Sequence, residues 1–358
     1  MTVIIFLLIL TALVFVHELG HFAVAKFFKI RVDEFAIGFP PKLLSKKVGE
    51  TLYSINLLPL GGFVKIFGEN PDDESINGAD KERSFVHKRR DKQALVLVAG
   101  VVMNILFAFF LFTGSYLFGV ARETEDAVAG RLVIVSVIPD SPAEMAELRS
   151  GDQIVYLETD TKKLEAPSAE TVREFISSAG DKVITLDIKR AGKEEQVKLR
   201  SREGLAGAPR AIGIQMSLVE DSRLPFLSAV KEGAVMTALV TKETAVGIYK
   251  FFARIFTFSA DLSSVSGPVG IAGLVGEARQ FGIGYLLSFA AMISVNLAVI
   301  NLFPFPALDG GRLLFVLIET IRRKAISPKV QNAFNIAGFV FLMALMVLVT
   351  VGDIKKLF

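Results

Sequence analysis

The chain has 358 residues, 52% of them hydrophobic and 22% charged, with 40 basic against 37 acidic side chains and a formal net charge of +3. That is too apolar for an ordinary soluble protein and too charged for a bare bundle of membrane helices, and the near balance of charge, with no aromatic-interleaved basic patch, argues for no nucleic-acid partner. With no cysteine and only three histidines, thiolate ligands, thiol nucleophiles and disulfides are excluded, which leaves imidazole and carboxylate as the side chains able to hold any tightly bound transition metal.

In chain order the pattern predicts a multi-pass α-helical membrane protein with four transmembrane helices, at about residues 3–25, 94–120, 283–305 and 333–351. The first has no basic residue ahead of it and no small-residue cleavage site behind it, so it reads as a retained span and not as a secretory signal. Residues 32–39, 51–58 and 62–67 are patterned as strands separated by Pro or Gly, which suggests a membrane-associated β-hairpin or small sheet within 32–67. The acidic run from Glu69 to Glu74 reads as a solvated turn. From about 121 a compact mixed domain is expected: a strand over 132–137, a short helix opened by Ser141-Pro142, a strand after Gly151-Asp152, a helix near 171–177 and a strand over 183–188. Residues 224–258 have the periodicity of a long amphipathic helix, either lying on the outer membrane surface or packing against a domain.

Basic residues set the expected orientation. Lys26, Lys29 and Arg31 follow the first span, Lys88, Arg89, Arg90 and Lys92 precede the second, and Arg322, Arg323 and Lys324 lie between the third and fourth. Those loops should be cytoplasmic, with both termini and residues 121–282 on the other side.

The chemistry concentrates in His17-Glu18-Leu19-Gly20-His21, at the inner end of the first span. Ionisable groups in a membrane helix are costly and mark function. Residues four apart share a helix face, so His17 and His21 can bind one Zn2+ while Glu18 stays free as a base. Catalytic zinc takes a third protein ligand, and the best candidate is Asp309. It follows two prolines that end the third span at the same leaflet, although Asp is also a good helix N-cap. Asn301 is a candidate amide donor to the oxyanion, or a residue that merely bonds nearby backbone. His87, in a basic run, is expected to be solvated and idle. A substrate helix must unwind before its carbonyl is reachable, and a strand edge near 51–58 would hold the opened chain by β-addition, unless the hairpin only braces the helices.

These residues resemble the site-2 protease family of intramembrane zinc metalloproteases, in particular the bacterial regulator-of-sigma-E type. The likeness rests on HELGH at 17–21, Gly38-Phe39, the LPLGGFVK segment at 58–65, Ala99-Gly100 with Asn104, the SGPVGI segment at 266–271 and the NLFPFPALDGG segment at 301–311. It implies His17, His21 and Asp309 as zinc ligands, with Glu18 as catalytic residue and Asn301 as a helper at the transition state. It also implies one inserted α+β PDZ domain at 121–219, between an N-terminal catalytic half (1–120) and an amphipathic helix and linker (220–282) that leads to the C-terminal catalytic half (283–358). Glu147, Pro40 and Val101 stand where the family commonly has Gly, Gly and Pro. The implied setting is the bacterial cytoplasmic (inner) membrane, with the PDZ domain extracytoplasmic and the active site near the cytoplasmic side. The implied substrates are single-pass membrane proteins already shortened outside, such as anti-sigma factors or signal-peptide remnants. A catalytically silent scaffold that holds partner tails on its PDZ domain would need no base at Glu18. A zinc carrier would need further polar residues along the spans.

Overall fold

In a computed structural model of the chain, residues 2–357 are described apart from 71–72, 124–129, 166, 191–192, 206–208 and 258–265. Two compact units emerge. One comprises Met1–Thr113, Val230–Val275 and Ser288–Phe358; the other comprises Gly114–Ala229 and Gly276–Leu287.

All four predicted spans are helices long and apolar enough to cross a membrane: Thr2–Phe27, Arg90–Phe118, Ile283–Leu302 and Pro328–Lys355, called spans 1 to 4 below. The third stops at Leu302 and not near 305, because Pro304 and Pro306 lack the amide proton a helix needs and disfavour helical backbone in the residue before them. The second stops at Phe118, where Gly119 takes φ 99° and turns the chain into a strand.

Between spans 1 and 2 the expected hairpin consists of two long bent strands, Val32–Val48 and Thr51–Ile66. Each is used twice. Val48 pairs with Thr51 and Lys42 with Asn56, while Phe35 stands opposite both Tyr53 and Val64. Residues 52–55 therefore have strand neighbours on both sides and offer no edge, so most of the segment 51–58 does not provide the edge that one of the two readings gave it. A chain this bent folds back on itself, and the edge that faces span 1 belongs to 62–66. There the Val64 amide donates to Glu18 Oε2 at 3.1 Å. Ile30, Val32, Ile66 and Phe85 root the hairpin in a core shared with Ala25, Val96, Leu97 and Val316, while Leu43, Leu44, Ile55 and Leu57 remain exposed on it.

The acidic run after the hairpin is not simply solvated, although Pro71 and Asp72 lie outside the described residues. Glu69 is mostly buried and paired with Arg312, and Glu74 bonds Arg31. The amphipathic segment is one helix, Phe226–Phe256, while Phe258 lies outside the described residues. Met236 and Val240 pack on a cluster of Ala108, Phe112, Ala291 and Val295 from spans 2 and 3. Phe252 stacks on Phe303 with centroids 4.2 Å apart. Of the two readings open for this segment, packing is the one these contacts match. Gly267 and Gly270 leave room for the buried Asp353 carboxylate of span 4, which accepts the Gly270 amide at 2.8 Å.

In the second unit, a seven-stranded sheet runs in the order Val120–Glu123, Ile214–Ser222, Arg131–Val137, Gln153–Glu158, Ile184–Arg190 and Lys193–Leu199, with Lys163–Glu165 beside Gln153–Glu158. The five elements expected from sequence are all present, and helix Ala169–Ala179 starts with a capping box between Ser168 and Thr171. Its Val172 and Ile176 close a core with Ile134, Leu157, Ile184, Leu186 and Ile188. Asp152 is fully buried yet held by both arms of Arg190, at 2.7 and 2.6 Å, and by the Arg149 amide at 2.9 Å. Glu147, which stands where a glycine was expected, has φ 57°. A left-handed residue closing a short helix favours glycine, so this position carries mild strain.

Candidate metal centre

One turn of span 1 separates His17 from His21, and their Nε2 atoms approach to 3.2 Å. Asp309 Oδ2 completes a triangle, 3.0 Å from His17 Nε2 and 3.2 Å from His21 Nε2. Among the described residues this is the one trio of such side chains converging closely enough to hold a metal ion. Bonds of about 2.0–2.1 Å directed tetrahedrally imply ligand-to-ligand edges of about 3.3 Å. The observed edges match one face of a zinc tetrahedron, with the donor set of two imidazoles and a carboxylate that zinc accepts.

Asp309 reaches this place because residues 303–308 leave the helix and fold back before helix Asp309–Arg322 begins. The N-cap alternative does not hold: Leu308 occupies the cap position, and Asp309 is the first helical residue with its carboxylate turned to the imidazoles. Asn301, in the last turn of span 3, puts its amide nitrogen 3.3 Å from His17 Nε2. Glu18 lies outside the triangle. It opens on a cavity of about 500 Å³ shared with His21, Asp309, Arg312 and residues 63–67 at the end of the hairpin. Burial works against the charged Arg31 in that cavity wall, but its bonds to Asp80 and Asp33 outweigh this and raise its pKa, so it stays cationic. His87 is exposed in a short 3-10 turn away from the cluster.

Sequence reasoning missed the part played by span 2. Gly20 of span 1 lies on the Ala99 carbonyl, and a Cβ on Gly100 would overlap His21 Nε2 and touch His17 Cε1. Two glycines thus let the helices approach until span 2 itself forms the floor of the site. Val96 O, one turn from Gly100, accepts from His21 Nδ1 at 2.8 Å, which leaves the Nε2 lone pair of that ring for a metal. A backbone acceptor has no residue signature, but a glycine at 100 within a span was a legible sign of close approach. Gly100→Ala is accordingly expected to push His21 off its place and weaken zinc binding at least about tenfold in a chelator competition, with the three candidate ligands themselves unchanged.

A site that fits zinc beside a free carboxylate, in a chain with four helices of membrane-crossing length, puts the protein in the class of membrane zinc metalloproteases. Comparison with known proteins narrows this. Residues 5–345 match the model of peptidase family M50. The chain is 39% identical over 355 residues to the Clostridium perfringens protein named "Putative zinc metalloprotease CPE1693", covering 99% of this chain and 98% of that one. It is 30% identical over 430 residues to zinc metalloprotease RasP of Geobacillus kaustophilus, covering 100% and 98%. With RasP of Shouchella clausii the identity is 31% over 439 residues, covering 100% and 99%. The chain belongs to peptidase family M50, the site-2 protease family, and is a zinc metalloprotease with Zn2+ as its cofactor.

Proposed function

We propose that this chain is an intramembrane endopeptidase that cleaves the transmembrane segments of single-pass membrane proteins already shortened outside the cell membrane, such as anti-sigma factors or signal-peptide remnants. His17, His21 and Asp309 hold the zinc, Glu18 moves the proton and Asn301 helps at the transition state. The observation that carries the reading is the position of Glu18, beside the ligand triangle but outside it, on the same cavity.

When bound, zinc supplies Lewis acidity to the carbonyl and the attacking water. The protein residues supply the rest. Glu18 takes a proton from water and returns it to the leaving amine, held in place meanwhile by the Val64 amide. The Asn301 amide is within reach of the same point and donates to the developing oxyanion. A substrate strand, once unwound, pairs with the edge of 62–66, which runs along the cavity wall, so that affinity comes from main chain and demands little of sequence. The exposed apolar side chains at 43, 44, 55 and 57 support a hairpin set into the membrane.

Residues 121–219 serve in this reading as a single extracytoplasmic PDZ domain that screens trimmed substrates. What supports this is a groove of about 470 Å³ between helix Ala169–Ala179 and residues 209–216, floored by Ile176, Ile212, Ile214 and Met216. The basic residues at both ends of the hairpin loop, Lys26, Lys29 and Arg31 on one side and Lys88, Arg89 and Arg90 on the other, support an active site near the cytoplasmic face. The test uses the purified chain in lipid vesicles with a single-span substrate. Cleavage is expected to fall to background when a chelator strips zinc and to return with stoichiometric zinc. Cleavage that survives complete zinc removal would overturn the proposal.

A further inference from the structure

We infer that Asn104 is a positioning residue for the zinc site: its side-chain oxygen accepts a hydrogen bond from Nδ1–H of His17 and so keeps the Nε2 lone pair of that ring turned toward the metal. The inference rests on the reading of His17 as a ligand.

Asn104 is fully buried in span 2, where a polar side chain without a task is costly. Its amide lies 3.3 Å from His17 Nδ1. With the amide nitrogen facing the ring, Asn104 Oδ1 is a buried acceptor with no partner, and Nδ1 must itself accept. A neutral imidazole carries one proton, so that arrangement would protonate Nε2, the atom that points at His21 and Asp309. A metal on Nε2 requires the opposite. An Asn amide fills the same volume either way round and is assigned by its hydrogen bonds. Turned by half a rotation, Oδ1 faces Nδ1–H and gains the partner it lacks.

The surrounding geometry supports a fixed role. The Asn104 backbone carbonyl accepts from Ser294 Oγ of span 3 at 2.8 Å, and Ser294 is fully buried as well. Positions 96, 100 and 104 form one stripe of span 2, spaced by four and running opposite to 21 and 17 of span 1. Val96 O orients His21, Gly100 makes room for both rings, and Asn104 orients His17. Outer partners of this kind fix ring orientation and ligand basicity.

The variants Asn104→Leu and Asn104→Asp separate the two orientations, since Asp keeps an acceptor and loses the donor. In chelator competition on the detergent-purified protein, Asn104→Leu is expected to bind zinc about 10–100-fold more weakly, and Asn104→Asp within about threefold of the unaltered chain. Nitrogen NMR of the metal-free, unaltered protein, which needs no substitution in the span, is expected to show His17 protonated on Nδ1. Unchanged zinc affinity in Asn104→Leu, equal loss in Asn104→Asp, or a metal-free His17 protonated on Nε2 would each overturn the inference. His17→Ala is the companion measurement. If it binds zinc as tightly as the unaltered chain, the ligand reading itself is wrong; if it loses zinc while Asn104→Leu does not, only the inference fails.

Discussion

Glu18→Gln is expected to leave zinc bound and to reduce cleavage of a single-span substrate by about 10²–10⁴-fold, the usual worth of a positioned proton carrier. Gln has the shape of Glu and still accepts the Val64 amide, which in the unaltered chain meets Glu18 Oε2 at 3.1 Å. The hairpin should therefore stay in place. Only proton transfer is removed, so kcat should fall far more than KM changes. Elemental analysis and a kinetic comparison on the same preparation make the check. Full activity in Glu18→Gln would remove Glu18 from the mechanism, and loss of zinc with activity would mean it was a ligand or a structural element.

Asp309→Ala is expected to cost more in metal than any outer partner, beyond the about 10–100-fold assigned to those. It takes away the sole carboxylate at the triangle and leaves two imidazoles, an incomplete set for tight zinc. Asp309→Asn should sit between, since it keeps an oxygen in place and gives up the charge. The readout is the zinc dissociation constant of each variant, with cleavage measured at saturating zinc. Unaltered affinity in Asp309→Ala would remove Asp309 from the ligand set and leave the metal to be held by other groups.

Much of this was legible in the sequence, for identifiable reasons. A pair of imidazoles and a carboxylate at the end of Thr2–Phe27 stands out because its surroundings are uniformly apolar. Asp309 was reachable by leaflet alone, since prolines 304 and 306 end span 3 where span 1 carries its histidines. The register of the hairpin was not legible. Which of three strand-like segments lies at an edge depends on how far the chain bends, and that is set by contacts between residues such as Phe35 and Val64 that local pattern does not encode. The charged strand Lys193–Leu199 escaped for a related reason: it is the outer strand of its sheet and mostly exposed, so it shows no apolar alternation. The tie between Glu69 and Arg312 was hidden because its partners are 243 positions apart.

That tie has a mechanical meaning. Segment 62–66 holds Glu18 through the Val64 amide, and three residues further on Glu69 grips Arg312, one helical turn from Asp309. A peptide paired along this segment, as proposed above, would load two contacts at once, one at Glu18 and one a helical turn from Asp309. In the proposed reading, load on this one short stretch of chain is felt at Glu18 and beside Asp309 together.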